Sequence, residues 1–411
     1  MEGRRGLLLI ADGMGDRPCK VLKGKTPLEA ARRPNMDALA GDGECGLMDV
    51  IAPGIRCGSD TGHLALLGYD PRKVYTGRGP FEALGIGMEV KGGDIAFRCN
   101  FSTATPDMVV TDRRAGRIKE GTKQLTEAVD GAEIDGILCL FKESVAHRGA
   151  LVLRGPGLSP MVSDADPHAE GEKVHEAKPL DNTPEAKKTA EVINKWVKLT
   201  YERLKDAPLN KQREAEGLPP ANIILPRGAG AAPHIGNFNK QNNVNAACVV
   251  ETGLVRGIAR FVGMTILDAP GATGGPDSDL NSIADTIVEA FKDHNFVLCN
   301  VKAPDQCGHD NDPELKCQVI EKFDSMVGYL MKRLPEDTIV AITADHSTPC
   351  EVKDHSGDPV PLLVCGPGVR RDDVAEFHEL TVYKGALQRV RGTDLVNIIT
   401  QLMLVQEKFG A

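Results

Sequence analysis

The chain contains four short, unbroken apolar runs, each closely followed or preceded by charged or polar residues. They occupy residues 7–11, 296–301, 339–344 and 361–365. Apolar runs of this length, rich in aliphatic and β-branched side chains, are typical of strands buried on both faces, as found in parallel sheets. The pattern therefore predicts four strands of a mostly parallel central sheet.

Segments predicted to be helical alternate with these runs. They cover residues 27–40, 255–262, 282–293 and 315–333. Alternating helices and buried strands are typical of βαβ units, in which the helices lie against the faces of a parallel sheet. We expect an α/β fold with a central, mostly parallel sheet flanked by helices.

The middle of the chain has a different pattern. Its strand-like pieces, at 95–101, 136–141 and 149–153, are short, and an amphipathic helix is predicted over 184–204. Glycine and proline residues cluster where this stretch begins and where it ends. The sequence predicts a smaller α+β domain, residues 85–235, inserted into a core domain formed by residues 1–84 and 236–411.

Composition narrows the range of partners. The net charge of −9 and the aromatic content of 4% disfavour binding to nucleic acid or to anionic membranes. No apolar run approaches the roughly 20 residues of a membrane helix. The eleven cysteines include no C-x-x-C pair, and several lie in strand-like runs, a usage typical of reduced thiols in the cytoplasm. We expect a cytoplasmic protein without nucleic-acid or membrane partners.

Candidate metal ligands lie beside the predicted strands. Ligands of open α/β sheets bind beyond the carboxyl ends of the strands, so these side chains are expected to converge. They are Asp12, Asp305, His309, Asp345, His346 and His355. Mixed oxygen and nitrogen donors suit Mn²⁺, Zn²⁺ or Co²⁺, with Mg²⁺ less favoured by imidazole. Six such donors fit two divalent ions better than one tetrahedral ion.

Each of these signals has a simpler interpretation. Asp12 is also compatible with a solvated turn, and Asp305 with an acidic rim of the surface. A hydrogen-bonded pair would account for Asp345 and His346, although adjacent buried polar groups are costly unless something satisfies them.

Ser59 is the candidate nucleophile. It lies just before an apolar run at residues 64–67, where a serine is usually a helix N-cap. The same position favours phosphate, and a cation on the hydroxyl would lower its pKa. Thr61 is the fallback nucleophile, His63 is expected to pack or to support the site, and Cys57 lacks an ion-pair partner.

In their order along the chain these motifs resemble the alkaline phosphatase superfamily. They are Asp12-Gly13, residues 58–63, Asp305 with His309, Asp345-His346, and His355. Within the superfamily the chain is similar to the cofactor-independent phosphoglycerate mutases of the archaeal type. Further matching strings occur at residues 64–71, 75–83, 302–305, 344–350 and 358–361, so the resemblance spans nearly the whole length.

The resemblance implies an alkaline-phosphatase-like core and an isomerase of glycolysis and gluconeogenesis. Such an enzyme interconverts 3-phosphoglycerate and 2-phosphoglycerate without 2,3-bisphosphoglycerate. Two divalent ions are implied, with Mn²⁺ favoured. One would be held by Asp305, His309 and His355, and the other by Asp12, Ser59, Asp345 and His346. Ser59 would become a phosphoserine, and the glycerate would reorient and take the phosphoryl group back on its 2-hydroxyl.

The resemblance also implies that the inserted domain binds the glycerate and closes as a lid that excludes water. The candidates there are Arg98, Asn100, His147, Arg148, Asp166, His168 and Arg227, with Arg256 on the core side. Arginine suits phosphate and carboxylate because its planar guanidinium donates two parallel hydrogen bonds. Each arginine taken alone is equally compatible with a solvated surface.

Two other functions fit the same residues. One is another phosphomutase or a phosphatase of the superfamily with the same two-metal core. The sulfatase branch is disfavoured because residues 57–60 lack the C-x-P-S-R pattern. The other is a non-catalytic module that binds metal or a phosphorylated ligand.

Overall fold

A computed structural model describes residues 4–232, 235–408 and 410. The chain divides into two compact units. We call the first the core unit, formed by Met1–Val74 and Ile235–Ala411, and the second the inserted unit, formed by Tyr75–His234. The boundary expected at residue 85 lies after this division, because the helix Gly79–Gly85 packs on strands of the inserted unit.

The strands are numbered in chain order. They are β1 (Arg5–Ala11), β2 (Glu44–Asp49), β3 (Ile95–Ala104), β4 (Val110–Asp112), β5 (Ala132–Ile134), β6 (Ile137–Glu143), β7 (Arg148–Arg154), β8 (Ile223–Ala231), β9 (Ala246–Val250), β10 (Thr265–Leu267), β11 (Phe296–Val301), β12 (Thr338–Thr343), β13 (Val360–Cys365) and β14 (Gln388–Arg391).

The α-helices follow the same convention. They are α1 (Pro27–Ala30), α2 (Pro34–Gly41), α3 (Ser59–Leu66), α4 (Pro71–Val74), α5 (Gly79–Gly85), α6 (Thr122–Glu127), α7 (Pro184–Leu204), α8 (Pro208–Ala215), α9 (Phe238–Asn242), α10 (Gly253–Phe261), α11 (Leu280–Ala290), α12 (Ala303–Asp310), α13 (Pro313–Met331), α14 (Glu379–Val382) and α15 (Leu395–Leu402).

The core unit contains an eight-stranded sheet in the order β10-β9-β11-β1-β12-β13-β2-β14. Five of its seven neighbouring pairs are parallel. β1 lies between β11 and β12, with Leu8 opposite Leu298 on one side and Ala341 on the other. Every residue of β11 and β12 is buried, which explains why both appear in the sequence as continuous apolar runs. The predicted α/β fold with a mostly parallel central sheet is confirmed.

One strand of that sheet runs against expectation. β13 pairs antiparallel with β12 and with β2, whereas its buried apolar sequence predicts a parallel strand. A strand covered on both faces is apolar throughout whichever way it runs, so composition does not reveal its direction. The start of β13 therefore lies at the sheet edge where β1, β11 and β12 end.

The inserted unit is built on a six-stranded sheet. Five of its strands lie in the order β4-β3-β7-β6-β5, and the sixth, β8, also pairs with β3. All the pairs are antiparallel. The helix α7 packs on the sheet and has Trp196 fully buried beside Phe141, with ring centroids 5.7 Å apart. The inserted unit thus has a hydrophobic core of its own.

Helix ends follow the local sequence. α7 occupies the residues predicted for it, and Thr183 caps it by accepting a hydrogen bond from the backbone N–H of Ala186. The single helix expected over residues 27–40 is two helices, α1 and α2, because a residue that precedes a proline disfavours helical geometry and Pro34 follows Arg33. Among the described helices none has the length and apolar character needed to cross a bilayer.

Candidate metal centre and nucleophile

The predicted ligands converge at one edge of the core sheet. Asp12 directly follows β1, Asp345 and His346 follow β12, and α12 begins just after β11. His355 precedes β13, and it reaches the same edge because that strand is antiparallel to β12. The strands therefore carry residues from four distant parts of the chain to one place.

Asp305, His309 and His355 form a first set of ligands. Asp305 and His309 are four residues apart on α12, so both project from the same face of the helix. Oδ1 of Asp305 lies 3.3 Å from Nε2 of His355 and 3.5 Å from Nε2 of His309. The two imidazole Nε2 atoms are 3.2 Å apart. Three lone-pair donors thus face one point.

Asp12, Asp345, His346 and Ser59 form a second set. Nε2 of His346 lies 3.3 Å from Oδ2 of Asp345, 3.6 Å from Oδ1 of Asp12 and 3.2 Å from Oγ of Ser59. Both carboxylates and the imidazole are completely buried or nearly so. The imidazole of His346 also stacks on that of His355, with ring centroids 3.6 Å apart, so the two sets adjoin.

The donors fit divalent cations. Oδ2 of Asp345 is buried and receives no hydrogen bond from any described residue. A buried carboxylate oxygen in this position is costly unless a cation satisfies it. Asp305, His346 and His355 form one group that could hold an ion, and Asp12, Asp345 and His346 form another. Carboxylate and imidazole without thiolate suit Mn²⁺, Zn²⁺ or Co²⁺.

The pKa values of the candidate metal ligands are shifted in different directions by their surroundings. Burial lowers the pKa of His346 to about 3, so its imidazole is neutral near pH 7. Burial and the charge of Asp345 raise the pKa of Asp12. The pKa of Asp305 is well below its usual range, since the hydrogen bond from His355 and the charge of Lys302 outweigh burial. Neutral imidazole and ionised carboxylate are the forms that bind a metal.

The nucleophile candidate occupies the first position of α3. Gly58 is the N-cap, so Ser59 is a helical residue rather than the cap. The hydroxyl of Thr61 is hydrogen-bonded to the backbone of Gly58, and burial raises the pKa of Cys57 well above that of a free thiol. Of the side chains of Cys57, Ser59 and Thr61, only that of Ser59 contributes an atom to the second set.

Several residues of the centre were not identified from the sequence. Nζ of Lys302 lies 2.8 Å from Oδ1 of Asp12, 2.7 Å from Oδ2 of Asp305 and 3.4 Å from Oγ of Ser59. Nδ2 of Asn300 donates to Oδ2 of Asp12 at 3.0 Å. Two signals in the sequence could have identified Lys302: its position directly after an apolar run, within three residues of Asp305, and its place in the matching string 302–305.

His63 and Thr348 contact residues of the two ligand sets. Nδ1 of His63 is 2.7 Å from the carbonyl oxygen of Ser59. The hydroxyl of Thr348 lies between Asp305 and His346. Thr348 thus contacts one ligand of each set, and His63 contacts the backbone of the candidate nucleophile.

The inserted unit brings several predicted substrate ligands together. Arg98 on β3 is opposite Arg227 on β8, and Asn100 is opposite Arg148 on β7. Nε of Arg98 and of Arg227, Oδ1 of Asn100 and Nδ1 of His147 are buried, and no described residue forms a hydrogen bond with them. Buried polar atoms without partners are typical of a site that a ligand completes.

Positive charge is concentrated around these atoms. Burial lowers the pKa of Arg98 to about 10, and the nearby charges of Arg78 and Arg227 add to the effect. Burial, Arg148 and Arg114 lower the pKa of His147 to about 4. Arg78, Arg114 and Arg117 therefore belong to this cluster, although they were not among the sequence-based candidates.

The remaining candidates form ion pairs, and that of Asp166 includes Arg227 of the cluster. Asp166 is buried and accepts from Arg113 at 2.7 Å, with Arg227 at 3.6 Å. His168 is half-exposed and pairs with Asp164 at 2.9 Å. Arg256, on α10 of the core unit, pairs with the exposed carboxylate of Asp268.

Two family models match separate parts of the chain. That of the 2,3-bisphosphoglycerate-independent phosphoglycerate mutases matches residues 40–210. That of the type I phosphodiesterases and nucleotide pyrophosphatases matches residues 239–357.

Named relatives match the chain over its length. A 2,3-bisphosphoglycerate-independent phosphoglycerate mutase of Methanothermobacter thermautotrophicus is 53% identical, with 99% of this chain and 100% of the relative covered. One from Methanocaldococcus jannaschii is 51% identical, with 100% of both covered. A cofactor-independent phosphoglycerate mutase of Thermoplasma acidophilum has a similar structure, with a TM-score of 0.74 and 38% identity. The match covers 97% of this chain and 100% of that protein. A Pyrococcus horikoshii protein has a TM-score of 0.87, with 41% identity and 100% of both chains covered.

Proposed function

Because the chain belongs to the 2,3-bisphosphoglycerate-independent phosphoglycerate mutase family, an isomerase family acting on phosphoglycerate, we propose that it works through a phosphoserine on Ser59 at a two-metal centre. The observation that carries this proposal is the position of the Ser59 hydroxyl. Its oxygen is 3.2 Å from the imidazole of His346 and 3.4 Å from the ammonium of Lys302. A nucleophile at the head of a helix, beside ligands for cations, is suited to attack a phosphate.

Each ligand set would hold one divalent cation. The first set is Asp305, His309 and His355, and the second is Asp12, Ser59, Asp345 and His346. When bound, the two cations lower the pKa of the serine hydroxyl and neutralise the phosphate charge. The donor chemistry favours Mn²⁺, with Zn²⁺, Co²⁺ and Mg²⁺ as alternatives.

The reaction is a transfer and return of one phosphoryl group. Oγ of Ser59 attacks the phosphorus of 3-phosphoglycerate, and the bond from phosphorus to the C3 oxygen breaks. The glycerate reorients without leaving. Its 2-hydroxyl then attacks the phosphoserine, the bond from phosphorus to Oγ breaks, and 2-phosphoglycerate forms. The phosphoryl group is conserved throughout, so the enzyme has no need of 2,3-bisphosphoglycerate.

We further propose that the inserted unit binds the glycerate and acts as a lid. Arg98, Asn100, His147 and Arg227 each have a buried polar atom that receives or donates no hydrogen bond among the described residues, and this supports the role. Arg148, Asp166, His168 and, in the core unit, Arg256 remain further candidates. A phosphoserine open to water would be hydrolysed, so excluding water is what separates a mutase from a phosphatase.

We also propose that the protein works in the cytoplasm. All eleven of its cysteines are free in the structure. Free, mostly buried cysteines fit a compartment that keeps thiols reduced.

The proposed reaction can be tested by ³¹P NMR. With Mn²⁺ and 3-phosphoglycerate, and without added 2,3-bisphosphoglycerate, we expect conversion to 2-phosphoglycerate. Acid quenching followed by peptide mass spectrometry should place a phosphoryl group on the peptide that contains Ser59. Ser59→Ala should lower turnover by roughly 10³-fold or more, with an unchanged circular dichroism spectrum. Thr61→Ala is the matched control, and it should stay active.

The competing functions give different outcomes. Release of inorganic phosphate without 2-phosphoglycerate would identify a phosphatase. A non-catalytic binding module would produce no turnover, and Ser59→Ala would change nothing. Full activity in excess chelator would contradict the two-metal centre.

A further inference from the structure

The hydroxyl of Thr348 connects one ligand set to the other. It lies 2.7 Å from Oδ1 of Asp305, a first-set ligand, and 3.0 Å from Nδ1 of His346, a second-set ligand. Thr348 is completely buried. A side chain that is not itself a ligand thus touches one ligand of each set.

The chemistry of the second set fixes the direction of these hydrogen bonds. Nε2 of His346 faces Ser59 and Asp345, so this nitrogen must carry the lone pair that binds a cation. The proton of the neutral imidazole is then on Nδ1 and is donated to Thr348. Because a hydroxyl has a single proton, Thr348 donates it to Asp305.

The other tautomer of His346 removes the hydrogen bond from Thr348 to Asp305. With the imidazole proton on Nε2, Nδ1 would accept from Thr348, and Asp305 would lose this donor. The position of one proton on His346 therefore decides whether Oδ1 of Asp305 receives a hydrogen bond from Thr348, in addition to the contacts of Asp305 with Lys302 and His355.

The surrounding backbone leaves space for Thr348 in this position. A Cβ on Gly13 would lie 2.5 Å from the Thr348 hydroxyl, and a Cβ on Gly308 would lie 2.8 Å from its methyl carbon. The backbone N–H of Thr348 donates to the carbonyl of Gly15 at 3.0 Å. Two neighbouring segments, the loop after β1 and α12, therefore enclose this residue.

We propose that Thr348 is a positioning residue that couples the two metal sets through this hydrogen-bond chain, an inference that rests on the proposed two-metal centre. If His346 holds a cation through Nε2, its imidazole proton would be on Nδ1, the Thr348 hydroxyl would donate to Asp305, and that hydrogen bond would help to orient the carboxylate for the first set. Such coupling is reciprocal, so filling either set favours binding at the other.

The test is titration of metal-free protein with Mn²⁺, with free Mn²⁺ followed by electron paramagnetic resonance. Thr348→Val keeps the shape and removes the hydroxyl, whereas Thr348→Ser keeps the hydroxyl. Wild type should bind two equivalents. In Thr348→Val both equivalents should bind about 10- to 100-fold more weakly, the usual effect of losing a group that orients a ligand. Thr348→Ser should stay within about threefold of wild type.

Each other outcome has a definite meaning. If wild type binds fewer than two equivalents, the two-metal centre itself is wrong. If wild type binds two and Thr348→Val binds both with equal affinity to wild type, or only one is weakened, the coupling is wrong. If Thr348→Ser is as weak as Thr348→Val, packing rather than the hydroxyl matters, which also overturns the proposal. Urea unfolding of the metal-free forms checks the fold, and Thr348→Ala replaces the valine variant if that variant does not fold.

Discussion

Among the residues that are not proposed metal ligands, Lys302 lies near the reacting oxygen of Ser59. Its ammonium touches Asp12 and Asp305, one carboxylate from each ligand set, and lies near the hydroxyl of Ser59. Although burial opposes charge on a lysine, the two carboxylates raise the pKa of Lys302 above its usual value. The residue therefore brings a permanent positive charge to the place where phosphate charge would develop.

Lys302→Met should lower kcat by about 10²- to 10³-fold, the typical loss when one preorganised donor to a transition state is removed. Mn²⁺ stoichiometry, measured in parallel, should remain at two equivalents, because Lys302 is not a ligand. Lys302→Arg retains the charge and should keep more activity than the methionine variant. Unchanged kcat in Lys302→Met would show that the lysine only balances charge.

The lowered pKa of His147 predicts how the free energy of unfolding depends on pH. Burial and the neighbouring arginines lower its pKa from 6.5 to about 4 in the folded protein. Between these values the unfolded chain binds a proton on this histidine and the folded chain does not. Stability from this group is therefore complete above pH 6.5 and falls as the pH is lowered toward 4.

Urea unfolding of metal-free protein, followed by Trp196 fluorescence at several pH values, measures this effect. His147→Gln should make the loss of stability on acidification shallower, because the substituted residue does not titrate. Equal slopes for wild type and variant would contradict the lowered pKa.

At the scale of secondary-structure elements, the sequence predicted the strands that have a local hydrophobic pattern. The buried runs of β1, β11 and β12 were identifiable because a strand covered on both faces is apolar at every position. Their ends then indicated where ligands would gather. The direction of β13 was not predictable, because a strand covered on both faces is apolar whichever way it runs. Lys302 and Thr348 were missed for a different reason: the contact of Lys302 with Asp12 and that of Thr348 with Asp305 join segments that are distant in the sequence.

The approach of α3 to the loop after β12 gives an element-scale prediction. A Cβ on Gly62 would lie 2.6 Å from the carbonyl oxygen of Asp345, which requires the helix or the loop to move. Gly62→Ala should lower the free energy of unfolding by about 1–3 kcal/mol, as overpacking typically does, and should weaken Mn²⁺ binding at the second set.

A matched control is available at the start of another helix of the core unit. A Cβ on Gly253, at the first position of α10, would meet no atom within 4 Å. Gly253→Ala should be neutral or stabilising by about 0.4–1 kcal/mol, since it mainly restricts the unfolded chain. Chemical denaturation and Mn²⁺ titration of both variants provide the comparison, and equal behaviour of the two would rule out the steric argument.

At the scale of the whole molecule, the metal ligands and the single tryptophan are in different units. The proposed ligands all belong to the core unit, whereas Trp196 is buried in the core of the inserted unit. The fluorescence of Trp196 therefore reports the inserted unit alone, while circular dichroism reports both.

Removing the metal should destabilise the core unit selectively, because a ligand stabilises only the structure that binds it. In excess chelator the unfolding midpoint by circular dichroism should fall, that by Trp196 fluorescence should fall less, and mutase activity should disappear. Added Mn²⁺ should restore all three. Equal shifts of both midpoints would mean that the two units unfold as one.

The pairing of β1 with β11 and β12 has a consequence for synthesis on the ribosome. β1 is translated before both of its partners, which begin at or after residue 296. At about 5–20 residues per second, the nascent apolar strand waits roughly 15–60 s for them. The inserted unit, being continuous in sequence, can fold on emergence. An apolar segment exposed for that long is a natural client for chaperones, because β1 is made well before its neighbours in the sheet exist.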